Sequence, residues 1–407
     1  MSRPRWEMAD AVRLFGEKLE QSRGQPAPVR KALHDILQCR TAALGGHVDA
    51  CSDCGSVRIS YNRCGNRSCG KCQGIDREAW VLGREQDLLP VVYYHVVFTI
   101  PSELNGLCLH NPRTLYGLLF DAAWETLQVF ARDPKHLGAE TGATMVLHTW
   151  GQNLSLHPHI HAIVPGGGLT AAGRWQKANS RSERFLFPVK AMSRVFKAIF
   201  LKTALKRLEN GELVLPKEAG PFADPNAYRA WRNDLYRKPW VVYAKRPFGG
   251  PKQVLEYLGR YTHKVAISNH RILDVSAEKG VRFACKDYRK EGKKGEMVLN
   301  GVEFLRRFTM HIPPKGFRRM RHFGILGNAR KKEALAAIRR DLEPEKPVPP
   351  KKDRKALRAE AVLRLFKGAD PARCPCCPEG KMQRIGIIPP QRPPPDGQMP
   401  NWTALTE

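Results

Sequence analysis

The segment Leu156–Val164 reads Leu-His-Pro-His-Ile-His-Ala-Ile-Val. In a strand, side chains alternate between faces, so His159 and His161 share one face while Ile160 and Ala162 take the other. Two imidazoles about 7 Å apart along a strand can chelate one divalent ion. Firm binding needs a third ligand, and two histidines compete for the place. His157 shares the face but sits about 13 Å along the strand from His161. A hairpin centred between Asn153 and Leu154 would set His148 directly opposite His159, about 5 Å away at Cβ. His148 is therefore preferred, although a one-residue slip would turn it to the other face.

A second chemical candidate is Glu256–Lys264, where Tyr257 and Tyr261 stand at i and i+4 and share one face of a helix. An isolated pair of this kind is usually core packing. Beside a metal-binding histidine pair it becomes a candidate for nucleophiles, with Arg260, His263 and Lys264 suited to a phosphate-facing surface.

The third candidate is the cysteine-rich stretch His47–Gln73. Cys51 and Cys54 form one C-x2-C knuckle and Cys69 and Cys72 another, with Cys64 between them. Two knuckles at this spacing can present four thiolates to a structural zinc ion. The expected ligands are Cys51, Cys54, Cys69 and Cys72, with Cys64 the substitute and His47 a further possibility. Cys374 and Cys377 form another C-x2-C pair with no second pair nearby, so a half-site, a remnant and ordinary thiols all remain open.

These residues need elements to carry them. Residues 1–46 carry apolar positions at helical spacing (Met8, Val12, Phe15, Leu19; then Val29, Leu33, Ile36, Leu37), which predicts two helices. Strands are expected over 91–100, 144–150, 157–164 and 240–245, and helices over 112–131, 192–208 and 252–264. This alternation predicts an α+β fold, an antiparallel sheet with packed helices. The expected organisation is a helical and zinc-binding unit over 1–80, a catalytic unit over 81–330 and a basic, Pro-rich, partly disordered region over 331–407.

Composition narrows the partner. Lys and Arg number 68 against 39 Asp and Glu, a formal charge of +29. Such an excess favours a polyanion, nucleic acid above all. No apolar run is long enough to span a membrane, and the N-terminus lacks the apolar core of a secretory signal. A cytoplasmic, nucleoid-associated location is expected, where close cysteine pairs mean metal more often than disulfide.

Several segments together resemble one family: Val96–Pro101, His148–Leu169, Tyr257–Ile272, Lys286–Arg289 and Pro314–Gly327. With the cysteine stretch, the likeness runs over about residues 30–330. The chain resembles the rolling-circle transposases of the insertion-sequence-91 type, in the two-tyrosine HUH endonuclease superfamily. The resemblance implies a ferredoxin-like HUH palm behind a zinc-binding domain, with His159 and His161 as paired metal ligands and Tyr257 and Tyr261 as the tyrosine motif. It implies Mg2+ or Mn2+ at the active site, structural Zn2+, and single-stranded or hairpin DNA ends cut through a 5′-phosphotyrosine. One departure is Ser68, where the family often has histidine; it favours an all-cysteine zinc site. Arg260, Lys264, Lys315, Arg318, Arg319 and Arg321 are the expected DNA contacts, together with Lys286, Arg289, Arg306 and Arg307. Two other readings use the same features: a plasmid relaxase or replication initiator with the same chemistry, and a zinc-dependent nucleic-acid binder without catalysis.

Overall fold

The computed structural model describes residues 4–179, 185–216, 220–245, 253, 259, 264–287, 293–345, 352–365, 370, 372–377 and 379–391. Two amphipathic helices open the chain, α1 (Met8–Ser22) and α2 (Ala27–Gln38). Glu7 and Asp10 cap the first by reciprocal bonds to each other's backbone N–H. A short hairpin of β1 (Gly46–Cys51) and β2 (Val57–Tyr61) follows, then α3 (Gln73–Glu85).

The central part runs β3 (Tyr93–Thr99), α4 (Asn105–His110), α5 (Pro112–Arg132), β4 (Gly142–Trp150) and β5 (Leu156–Pro165). A small ribbon of β6 (Gly167–Leu169) and β7 (Trp175–Lys177) leads to α6 (Val189–Glu209), α7 (Pro225–Arg237) and β8 (Val241–Lys245). Next come β9 (Ile272–Ser276), β10 (Gly280–Asp287), β11 (Lys293–Leu299), α8 (Gly301–Thr309) and β12 (Met320–Gly324). The chain then adds α9 (Lys331–Leu342), α10 (Arg354–Leu365) and β13 (Met382–Ile388).

The largest sheet is five-stranded and antiparallel throughout, in the order β12-β4-β5-β3-β8. Strand alternation divides its residues between two faces. Val96, Phe98, Met145, Leu147, Ile160, Ala162 and Val242 point into a core shared with α5 and α6. On the opposite face, Val146 and Ile163 join a second core with Leu335 and Ile338 of α9, and Trp150 joins a third. The histidines of β3, β4 and β5 lie on this second face.

The third core joins distant parts of the chain. Val12 and Phe15 of α1 and Leu33 of α2 are buried with Val275, Phe283 and Phe304 from the far end of the catalytic stretch. Gly301 begins α8 where any side chain would collide with the Phe15 ring. The N-terminal helices and the β9–β11 sheet are thus one packed body. At the other end, β13 pairs with β1, bringing the C-terminal stretch back onto the N-terminal hairpin. Among the described residues no helix is long and apolar enough to cross a membrane.

Candidate active site and metal centres

The β4–β5 register sets His148 opposite His159. Between His148 and Trp150 the pairing shifts, so that Trp150 faces Leu156. This bulge lets a compact turn close the hairpin without disturbing the histidine pairing. The turn is held by Asn153, whose side-chain oxygen accepts from the Ser155 amide and hydroxyl. Leu154 takes a left-handed conformation (φ 62°) and is fully buried in the third core. That conformation is costly for a branched side chain, and burial of the leucine offsets it.

His148, His159 and His161 form one group whose ligand nitrogens all lie within 4.8 Å of one another. Nε2 of His159 and Nε2 of His161 are 3.1 Å apart. His157 is exposed and lies outside the group. The hydrogen bonds fix which nitrogens face inward. Nδ1–H of His159 donates to the His157 carbonyl at 2.6 Å, which leaves its Nε2 lone pair toward His161. Nδ1 of His161 is 2.9 Å from Nε2 of His95, a buried residue of β3 stacked on it. His148 stacks on Trp150 at 4.6 Å, which sets its ring plane.

Burial lowers the pKa of His159 to about 4, with further lowering by the charges of His157, Lys264 and His95. His161 is lowered still more by burial, and then by His148, His159 and His95. Both imidazoles are therefore neutral at pH 7, with lone pairs available. Three convergent imidazole nitrogens on two adjacent strands fit a divalent ion.

Tyr257, Arg260 and Tyr261 lie outside the described residues. Their described neighbours bear on the site. Gly259, between the tyrosines, is helical and buried, and a Cβ there would collide with Cγ2 of Val81 on α3. Lys264, three residues after Tyr261, is exposed and close enough to lower the pKa of His159 and His161.

The cysteines separate into two groups of four. Cys39, Cys64, Cys69 and Cys72 form one, and Cys51, Cys54, Cys374 and Cys377 the other. The expected single set of Cys51, Cys54, Cys69 and Cys72 is not brought together: its two knuckles fall in different groups. Cys69 and Cys72 turn toward Cys39 at the end of α2, with sulfurs of Cys39 and Cys64 at 3.4 and 3.5 Å from Cys72. This first group is mostly buried in the third core. Cys51 and Cys54 sit at the β1–β2 turn, beside Cys377 and Cys374. His47 belongs to neither group; its imidazole pairs with Asp49 at 3.3 Å.

The "Putative transposase y4qJ" of Sinorhizobium fredii is 42% identical over 95% of this chain and 97% of its own length. The "Transposase for insertion sequence element IS801" of Pseudomonas savastanoi pv. phaseolicola is 29% identical over 84% of this chain and 80% of its own. A family model described as "Putative transposase" matches residues 142–334, and one described as "Transposase zinc-binding domain" matches residues 11–100. The chain belongs to the insertion-sequence-91 type of transposase. No solved structure matches it.

The first cysteine group lies wholly within the matched zinc-binding domain of the transposase. Four sulfurs within 4.8 Å of one another, with that of Cys72 at 3.4 and 3.5 Å from Cys39 and Cys64, suit a tetrahedral zinc site, whose edges are about 3.8 Å at a Zn–S distance of about 2.3 Å.

The basic residues of the transposase divide by what they touch. Lys286, Lys315 and Arg318 are exposed, and Arg289 lies outside the described residues. Arg319 is largely enclosed, and burial pushes its pKa down to about 10. Arg321 lies over the Phe120 ring at 4.4 Å and near Asp121 at 3.7 Å, which pins β12 to α5. Arg306 and Arg307 both bind Glu303, whose pKa they hold near 2. Arg307 also donates to the Asn153 carbonyl in the turn beneath the histidines. Arg307 thus braces the hairpin, and Arg306 helps to hold Glu303 beside it. Sequence reasoning missed Cys39, a lone cysteine after a helix, and His95, a lone histidine in an apolar strand.

Proposed function

We propose that this transposase nicks and rejoins single-stranded DNA at its element's ends by rolling-circle chemistry. His148, His159 and His161 would hold Mg2+ or Mn2+, and Tyr257 and Tyr261 would act as nucleophiles. The carrying observation is the trio of histidines with converging nitrogens on β4 and β5. The run β3-α5-β4-β5-α6-β8, with strands ordered β4-β5-β3-β8, supports a ferredoxin-like HUH palm. The approach of Lys264 to His159 and His161 supports placing the tyrosine segment beside this face.

The bound ion supplies Lewis-acid stabilisation of charge on the scissile phosphate. A tyrosine oxygen forms a bond to phosphorus as the bond to the 3′-oxygen breaks. The tyrosyl proton passes to water, and the departing 3′-oxygen takes one up. The resulting 5′-phosphotyrosine keeps the phosphodiester energy, so a 3′-hydroxyl can reverse the step and seal a strand. Lys264 offers a charge-assisted contact to the phosphate, and exposed Lys315 and Arg318 contact the backbone without reading sequence. Two tyrosines allow a second strand to be cut while the first remains attached.

The test is a covalent protein–DNA band on a denaturing gel. The wild-type chain with Mn2+ and a single-stranded oligonucleotide from an element end should form it. The double variant Tyr257→Phe/Tyr261→Phe should not, and EDTA should abolish it in the wild type. An undiminished band in the variant or in EDTA would overturn the reading. So would a wild-type chain that binds such DNA without ever forming the band.

A further inference from the structure

We propose that Cys51, Cys54, Cys374 and Cys377 bind a second zinc ion, which clasps the C-terminal strand to the N-terminal hairpin. The matched zinc-binding domain ends at residue 100 and holds only half of this site. The inference is independent of the strand-cutting reading.

Geometry carries it first. Sγ of Cys51 is 3.5 Å from Sγ of Cys377, and Sγ of Cys54 is 3.6 Å from that of Cys374. A disulfide needs about 2.05 Å, so these sulfurs are not bonded to each other. They are close to the edge of about 3.8 Å expected around tetrahedral zinc. Each knuckle also aims backbone amides at its first sulfur. The Asp53 and Cys54 amides donate to Cys51 Sγ at 3.4 and 3.5 Å, and the Cys376 amide to Cys374 Sγ at 3.3 Å. Such donors favour thiolates.

The scaffold is built to meet the site. β1 and β13 pair from Gly46↔Ile388 to Cys51↔Met382, so the strands end where the sulfurs gather. The Ser52 amide donates to the Lys381 carbonyl and the Cys374 amide to the Gly380 carbonyl, each at 2.9 Å. Gly380 has no space for a side chain, because a Cβ would strike Cys51 Sγ and crowd Cys377 Sγ. Cys376 stays outside the group, its sulfur 3.3 Å from the Ser56 hydroxyl.

Packing supplies the need for a metal. In the β13-β1-β2 sheet, Val57, Ile59, Ile385 and Ile387 are exposed, and none belongs to the three apolar cores. A three-stranded sheet without a packed face is marginal in water. A thiolate–metal site staples such small units, since the binding free energy becomes folding free energy. The same clasp holds the chain end beyond α10, which lies on α3 through Arg358–Asp76 at 3.4 Å and Arg364–Glu85 at 3.0 Å.

Native mass spectrometry and elemental analysis of the full chain test the proposal. The wild type should carry two zinc ions. Cys374→Ser/Cys377→Ser should carry one, and so should Gly380→Val, which keeps every cysteine. Cys376→Ser should keep two. Hydrogen exchange should rise in β1 and β13 of the one-zinc variants while α1 and α2 stay protected. One zinc in the wild type, iron in place of zinc, or two zinc ions retained by the double serine variant would each overturn it.

Discussion

Nε2 of His95 lies 2.9 Å from Nδ1 of His161, with the two rings stacked 5.1 Å apart. His95 pairs with Ile163 and His161 with Val97, so the two histidines are diagonal neighbours across β3 and β5. If Nε2 of His161 faces a metal, its Nδ1 carries the proton and donates to His95. His95 is then a positioning residue that fixes tautomer and ring plane.

Replacing His95 with Leu is expected to weaken Mn2+ binding about 10- to 100-fold, the usual effect of removing a ligand's hydrogen-bond partner. His95→Gln retains an acceptor and should recover part of the loss. A Mn2+ titration by calorimetry reads both. Equal affinities in wild type and His95→Leu would show that His95 merely fills space.

Gly259 separates the two tyrosines and touches α3 closely enough that a Cβ would collide with Val81. Gly259→Ala should therefore destabilise by about 1–3 kcal/mol through overpacking. Val81→Ala removes the colliding methyl groups, so the double variant should regain thermal stability relative to Gly259→Ala. Covalent adduct formation should fall and recover in parallel. Strictly additive losses in the double variant would mean that the contact does not govern this segment.

How much of this was legible in the sequence depended on the distance between partners. The hairpin histidines were readable because a short turn constrains register, and His148 does face His159. The bulge before Trp150 was not readable, since nothing in Thr149-Trp150-Gly151 marks it. α5 and α6 announced themselves by apolar periodicity and fall within three residues of the expected ends. β11 begins Lys-Lys-Gly-Glu and reads as a solvated charge run; it is a strand only because β10 pairs with it. The cysteine sites failed for a related reason. A search for nearby pairs joins Cys51-Cys54 to Cys69-Cys72, whereas the fold joins it to a pair about 320 residues away. His95 sits in an apolar run, and its role arises only from its diagonal neighbour.

Cys39 closes α2 and is buried with Cys69, Cys72 and Phe15 in the third core. Cys39→Ser should lower the zinc content by one and destabilise more than loss of an exposed cysteine, because an uncoordinated hydroxyl would be buried among apolar groups. Zinc analysis with thermal denaturation checks this. Retention of full zinc content would assign Cys39 to the core alone.

His311 should give the chain a measurable acid weakness. It is buried, its Nε2–H donates to the Leu154 carbonyl at 3.1 Å, and its Nδ1 accepts from the Thr149 hydroxyl at 3.1 Å. The Thr149 bond requires the neutral ring, and burial lowers its pKa to about 4, against the Leu154 carbonyl, which favours the charged form. Between pH 6.5 and 4 the unfolded chain takes up a proton that the folded chain refuses, so stability rises with pH in that window. The contribution is complete above about pH 6.5, falls as the pH drops toward 4, and changes no further below. Its size is roughly 3 kcal/mol, at about 1.4 kcal/mol per pKa unit. His311→Gln can donate to Leu154 and accept from Thr149 without titrating. Its melting temperature should fall less steeply than that of the wild type between pH 6.5 and 4, while His322, also near 4, contributes equally to both. Parallel curves would show that His311 carries no pH-dependent stability.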